Sequence, residues 1–193
     1  TGLTELESAR TPHFDELARQ GIVGLSEPIG PGITPGSGPG HLSLFGYDPV
    51  TNNIGRGALS ALGIGLHLNS DDVAVRLNFC TLDQFGNVED RRAGRISTEK
   101  NRELIATLAQ ISVEDIEIKL ETESQHRAVL VLSGEGLHPG VQETDPQMVG
   151  VPPLEPIALA PAANRTATVL QEFLDGVHRL IGGLQPANFV LMR

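Results

Sequence analysis

Apolar positions recur along the chain in two periods, and the change from one to the other divides it. After Thr11 and Pro12, the residues Phe14, Leu17 and Ala18 return at helical spacing. Thr11 as N-cap with Pro12 at the first helical position predicts a helix start. Asp15 and Glu16 suit the positive end of its dipole, and Gly21 suits its C-cap. Residues 22–25, Ile-Val-Gly-Leu, predict a short buried strand. Helix followed by strand predicts an α/β rhythm. Residues 41–46 predict a helical turn ended by Asp48-Pro49, and 58–62 predict a short helix closed by Gly63. From residue 73 the period becomes two. Val73, Val75, Leu77 and Phe79 alternate with Ala74, Arg76 and Asn78, which predicts a strand.

Residues 83–87 predict a hairpin-type turn with Gly86 in the left-handed position. Thr98 is expected to cap a helix running to about Ala109, with Leu104, Ile105 and Leu108 on its apolar face. Residues 116–120 and 128–132 predict two strands. Residues 134–156 predict a long irregular connection, a length that in a compact domain is usually functional or mobile. Residues 164–181 predict the longest amphipathic helix, burying Val169, Leu170, Phe173, Leu174, Val177 and Leu180. Residues 188–192 predict a last buried strand. Gly63 and Gly65 mark the expected boundary between two domains, 1–63 and 64–193.

Composition narrows the function. Apolar residues make up 39% of the chain, with no tryptophan and one tyrosine, Tyr47, so aliphatic side chains must fill the core. A net charge of -10 argues against a nucleic-acid partner. It leaves room for a small anionic ligand held by a local basic cluster. The single cysteine, Cys80, excludes an intrachain disulfide and a cysteine zinc site. Lying in an apolar run, it is expected to be buried and inert. No stretch of about twenty apolar residues is present to span a membrane, and the N-terminus lacks a signal-peptide pattern. A cytoplasmic setting is expected. The chain lacks an initiator methionine, which predicts a processed start or one cut from something longer.

Two stretches carry candidate chemistry. GPGITPGSGPGHLSLFGYDP packs glycines and prolines about Ser37. Glycine lets backbone N–H groups approach an anion closely, and a serine ahead of a helix-like segment is a candidate phosphoryl acceptor. Taken alone, such a loop is more often only a surface connection. The second stretch, DRRAGR, places Arg91, Arg92 and Arg95 within six residues. Guanidinium groups clamp phosphate or carboxylate, while the alternative is a solvated turn pairing with Glu89 and Asp90. His126 and Arg127 form a weaker basic pair at a strand entrance. His138, Asp145 and the Asp71-Asp72 pair fit no metal-ligand spacing. His13, His67 and His178 read as ordinary surface or helix positions.

Several blocks, taken in order, resemble the archaeal-type 2,3-bisphosphoglycerate-independent phosphoglycerate mutases. They are RTPHFDELARQGIVGL, the Ser37 loop, GRGALSALGIGLHL, DRRAGR, HRAVLVLSGEG, ETDPQMVGVPPLEPI, NRTATVLQEFL and PANFVLMR. Together they cover nearly the whole chain. The resemblance implies the alkaline phosphatase superfamily and an α/β fold. The first part of a split phosphatase-like catalytic domain would be followed by an inserted α/β substrate-binding domain. It implies interconversion of 2- and 3-phosphoglycerate through a phosphoserine at Ser37, aided by two divalent metal ions (Mn, Mg, Zn or Co). Ser37 would also be a metal ligand. Arg91, Arg92, Arg95, His126 and Arg127 would hold the substrate's phosphate and carboxylate, with Asp145 and Arg56 as weaker candidates.

Two departures stand out. Gly38 follows Ser37 where the family usually has an acidic residue. The family's other metal-binding motifs are not found, so an internal fragment is expected, holding no metal and inactive by itself. Exposed edges admit a homo-oligomer. The competing readings are another phosphomutase or hydrolase of the superfamily, or a non-catalytic anion-binding module.

Overall fold

The computed structural model describes residues 2–33, 36–52 and 54–193. It divides into two units, Thr1–Asn53 and Ile54–Arg193. The division falls ahead of the Gly63–Gly65 boundary expected from sequence. The physical reason is one glycine. Helix α4 (Arg56–Gly63) lies on the sheet of the second unit, and a Cβ on its Gly57 would stand 1.9 Å from the Ala74 carbonyl oxygen. Only glycine lets the helix approach so closely.

Among its described residues the first unit holds three helices, α1 (Glu5–Ser8), α2 (Pro12–Gln20) and α3 (Ser37–Leu44). The capping box of Thr4 and Glu7 starts α1. Thr11 and Pro12 start α2 as expected, although the Thr11 hydroxyl donates to the Asp15 carboxylate rather than accepting a backbone N–H. The buried strand expected at 22–25 does not form. Ile22 and Leu25 are fully exposed, and no ladder joins them. A strand needs a neighbour for its N–H and C=O groups, and this unit contains no strand among the described residues. Helix α3 starts earlier than the pattern implied and places Ser37 in its first turn.

The second unit is built on β1 (Val73–Leu82), β2 (Val88–Asp90), β3 (Glu117–Ser124), β4 (Arg127–Ser133) and β5 (Phe189–Met192). The strands pair antiparallel throughout, in the order β2-β1-β4-β3, with β5 also on β1. The α/β expectation therefore becomes a mixed α/β fold with an antiparallel sheet. Helices α5 (Thr98–Leu108) and α6 (Asn164–Ile181) pack on one face of it. Ser97, rather than Thr98, caps α5, its hydroxyl accepting from the Lys100 N–H.

Alternation then sorts the paired residues of β1, β4 and β5. Val73, Val75, Leu77, Phe79, Ala128, Leu130, Leu132, Val190 and Met192 face the helices. Phe173, Val177 and Ile181 of α6 meet them, fully buried. Each such side chain contributes about 1.5–3 kcal/mol. On the other face, Val129, Val131 and Ala74 pack under Ala61 of α4, while Cys80, Val88 and Leu191 form a second apolar patch. Along β1, Arg76 and Asn78 fall between these two patches, and Asn78 pairs with Arg127 across β4. The sheet thus carries a polar gap in an otherwise apolar face.

Candidate functional site

That gap is a basin of about 330 Å³. Its floor is Arg76, Asn78, Arg127 and Arg193, all placed on one face by strand register. Its walls are Arg91, Arg92 and Arg95 from the segment after β2, and Gln125 and His126 from the β3–β4 turn. Arg91, Arg92, Arg95, His126 and Arg127, singled out in sequence, thus converge. Arg76, Asn78, Gln125 and Arg193 were missed. The available signal was Arg76, a charged residue inside an apolar strand.

Both wall loops are held in costly conformations. Ala93, Gly94 and Arg95 all have left-handed φ (46°, 63° and 55°), as does Gln125 (50°). Left-handed non-glycine residues cluster at functional sites because surrounding contacts must impose them. Asp90 imposes the first loop. Its carboxylate accepts from the backbone N–H groups of Arg92 (2.8 Å) and Gly94 (2.6 Å). The solvated pairing of arginines with Glu89 and Asp90 is therefore not what forms.

The cations divide into two groups. Arg91 grips Asp145 with two hydrogen bonds, Nε to Oδ1 at 2.8 Å and Nη2 to Oδ2 at 2.7 Å. Arg193 reaches Glu143 at 3.1 Å and Asp145 at 3.6 Å, and Arg127 reaches Glu123 at 3.3 Å. Arg76, Arg92 and Arg95 form no ion pair among the described residues. Arg76 is half-buried, and its guanidinium is pushed below its ordinary value, first by burial and then by the cations of Arg56 and Arg193. It nevertheless stays charged at neutral pH. A half-buried cation without a counter-charge is costly unless an anion joins it.

Unsatisfied polar atoms gather in the same place. Arg76 Nε, Asn78 Oδ1, His126 Nδ1 and Arg127 Nε are buried without a hydrogen-bond partner, and all four residues line the basin. Native interiors rarely leave such groups unpaired. Burial, and then the cations of Arg127, Arg92 and Arg95, lower the His126 pKa, so the imidazole is held neutral.

Asp145 does not line the basin. Its side chain is 1% exposed and is saturated by Arg91 and the Gln147 N–H. Burial alone would raise its pKa, but these hydrogen bonds and the charges of Arg91 and Arg193 hold it below the ordinary carboxylate range. Asp145 therefore holds the guanidiniums of Arg91 and Arg193 in place. The Thr144 N–H donates to the Met192 carbonyl, and this fixes the segment beside β5. Arg56 stands at the start of α4, exposed and outside the basin, and lines a neighbouring cavity with Arg193. Cys80 is buried, and its thiol is pushed far up by that burial.

Ser37, in the other unit, is exposed in the first turn of α3, with Gly36 as N-cap. His41 Nδ1 donates to the Ser37 carbonyl at 2.6 Å. Among the described residues, no three His, Cys, Asp or Glu side chains converge as a metal site requires. The described residues therefore do not bring together the ligand set that a two-metal centre requires.

A mixed α/β protein with an arginine-lined basin is the class that fold and site define. Comparison with known proteins narrows it. The family described as 2,3-bisphosphoglycerate-independent phosphoglycerate mutase matches residues 18–185. The chain is 48% identical, along its whole length, to a probable mutase of that name from Thermus thermophilus, and covers 48% of it. It is 47% identical to another from Deinococcus radiodurans, again covering 48%. A solved cofactor-independent phosphoglycerate mutase from Thermoplasma acidophilum superposes with a TM-score of 0.66 at 34% identity, over 79% of this chain and 45% of that one. The PH0037 protein of Pyrococcus horikoshii gives 0.66 at 30% identity, over 100% and 45%. The chain belongs to the 2,3-bisphosphoglycerate-independent phosphoglycerate mutase family, and spans about half the length of the curated relatives it matches.

Proposed function

We propose that the protein is an isomerase that interconverts 2- and 3-phosphoglycerate in the cytoplasm, and that the second unit is its substrate-binding domain. The observation that carries this reading is the trio Arg76, Arg92 and Arg95, unpaired around a basin of unsatisfied polar atoms in a chain of net charge -10. Phosphoglycerate brings a phosphate and a carboxylate, about three negative charges near neutral pH. Three unpaired guanidiniums match that charge. His126 and Asn78 add hydrogen-bonding groups to the basin, and Arg91, pinned by Asp145 and the Gln147 carbonyl, adds a fixed positive charge to its wall.

On the same proposal, Ser37 accepts the phosphoryl group in a split phosphatase-like domain, to which the first unit belongs. The bond from substrate oxygen to phosphorus breaks as the bond from Ser37 Oγ forms, with the Ser37 hydroxyl proton passing to the departing oxygen. In the return step the Oγ–phosphorus bond breaks as the other hydroxyl takes the group, and its proton goes back to Ser37 Oγ. The position of Ser37 at the start of α3 supports this, because free helix N–H groups attract phosphate oxygens. The two divalent ions, and the ligands that complete their site, belong to protein outside these 193 residues. Titration of 3-phosphoglycerate into the chain tests the binding half of the proposal. Trapping phosphoserine at Ser37 in the whole protein tests the chemical half.

A further inference from the structure

We infer that Asn101 is a positioning residue for the anion basin, acting from the opposite side of the sheet through the turn that carries His126. This rests on the reading of the basin as a phosphoglycerate site. The turn between β3 and β4 has two residues, Gln125 and His126, and Gln125 takes the left-handed φ that such turns normally give to glycine. Nothing in the turn's own sequence favours that conformation. The ladder beside it is irregular too, its register shifting between Thr122 and Ser124.

Helix α5 supplies what the turn lacks. Asn101 is fully buried. Its Nδ2 donates to the Gln125 carbonyl at 2.6 Å and to the Arg127 carbonyl at 2.9 Å, so both flanks of His126 are held by one amide. Its Oδ1 accepts from Thr122 Oγ1 at 2.9 Å, which fixes the orientation of that amide. One turn earlier, Thr98 Oγ1 accepts from the Gln125 N–H at 3.1 Å. Every hydrogen-bonding atom of the Asn101 side chain is thereby committed to the hairpin. On the far side of the clamped backbone, Gln125, His126 and Arg127 enter the basin. An apolar residue at this position would leave the Gln125 and Arg127 carbonyls and the Thr122 hydroxyl without this partner. The amide is needed only to fix where that backbone stands.

The test compares Asn101→Ala with Leu108→Ala, a fully buried change on the same helix that leaves the hairpin bonds intact. Thr98→Ala is the milder second variant if Asn101→Ala fails to fold. Calorimetric titration with 3-phosphoglycerate, on chains shown to be folded by circular dichroism, should find affinity reduced about tenfold by Asn101→Ala and less by Thr98→Ala. Leu108→Ala should lower stability and leave affinity unchanged. Amide hydrogen exchange at Gln125 should speed up about tenfold in the two hairpin variants only. Equal affinity in wild type and the hairpin variants, or unchanged exchange at Gln125, overturns the inference. If the wild-type chain binds no phosphoglycerate, the functional reading fails, and the exchange rates still decide the clamp.

Discussion

Arg76 and Arg193 exchange both main-chain hydrogen bonds, at 2.9 Å each way, and so project their guanidiniums from the same face of the sheet. Two cations placed side by side by register repel one another. Arg193 has Glu143 and Asp145 for relief, and Arg76 has no ion pair among the described residues. Such an arrangement weakens the fold unless an anion joins it.

It follows that Arg76→Met should stabilise the chain while impairing its function. Removing a half-buried unpaired charge should raise stability by about 1 kcal/mol, seen as a higher thermal midpoint. Affinity for 3-phosphoglycerate should fall at least about tenfold. A variant that loses stability and keeps affinity would show that Arg76 serves packing alone.

Asp145 should behave in the opposite way. Asp145→Asn leaves Arg91 and Arg193 short of a buried counter-charge and should cost about 3 kcal/mol in denaturant unfolding. Its wild-type pKa lies below that of an unfolded aspartate, so its contribution is present above the ordinary carboxylate range. That contribution is lost as pH falls through the folded value. Asp145→Asn should therefore flatten the acid limb of the stability profile.

His126 governs a higher window. Burial and neighbouring arginines hold its folded pKa below the ordinary histidine value. As pH falls through that ordinary value the unfolded chain takes up the proton first, so stability present above the window is lost below it. His126→Gln should reduce the slope of unfolding free energy between about pH 7 and pH 5. Chemical denaturation across that range measures it, and an unchanged slope would place the titration elsewhere.

Gly57→Ala tests the packing of α4. Its Cβ would meet the backbone of β1 rather than a flexible side chain. The helix must move off the sheet, uncovering Val129 and Val131. A loss of about 2 kcal/mol or more is expected. Stability equal to wild type would contradict the close approach.

Period and capping showed most elements of the second unit in sequence, and α6 lies where its apolar stripe put it. The sequence did not show which strand faces share a side, because pairing register is a property of distant segments. Arg76 looked like the polar half of an ordinary alternation, and only pairing with β4 and β5 set it beside Arg127 and Arg193. Likewise Asp145 stood in a loop by sequence, and its burial against Arg91 depends on contact across 54 positions. The strand expected at 22–25 failed for a different reason. Its apolar pattern is genuine, but a strand forms only against a partner, and the first unit offers none among its described residues.

In the whole protein, Ser37→Ala should abolish phosphoserine formation and turnover while leaving phosphoglycerate binding largely intact, since the basin lies in the other unit. Mass spectrometry of the trapped intermediate reads this out, and wild-type turnover in the variant would remove Ser37 from the chemistry.

Arg76, Arg92 and Arg95, without ion pairs among the described residues, are expected to receive a phosphate and a carboxylate together. Calorimetric titration of the 193-residue chain and its Arg92→Ala variant with 3-phosphoglycerate, at low and high salt, tests this most directly. Binding to the wild type should saturate and weaken with salt, and binding to the variant should be at least about tenfold weaker. Absence of binding to the wild type, or equal affinity in the two proteins, would contradict this.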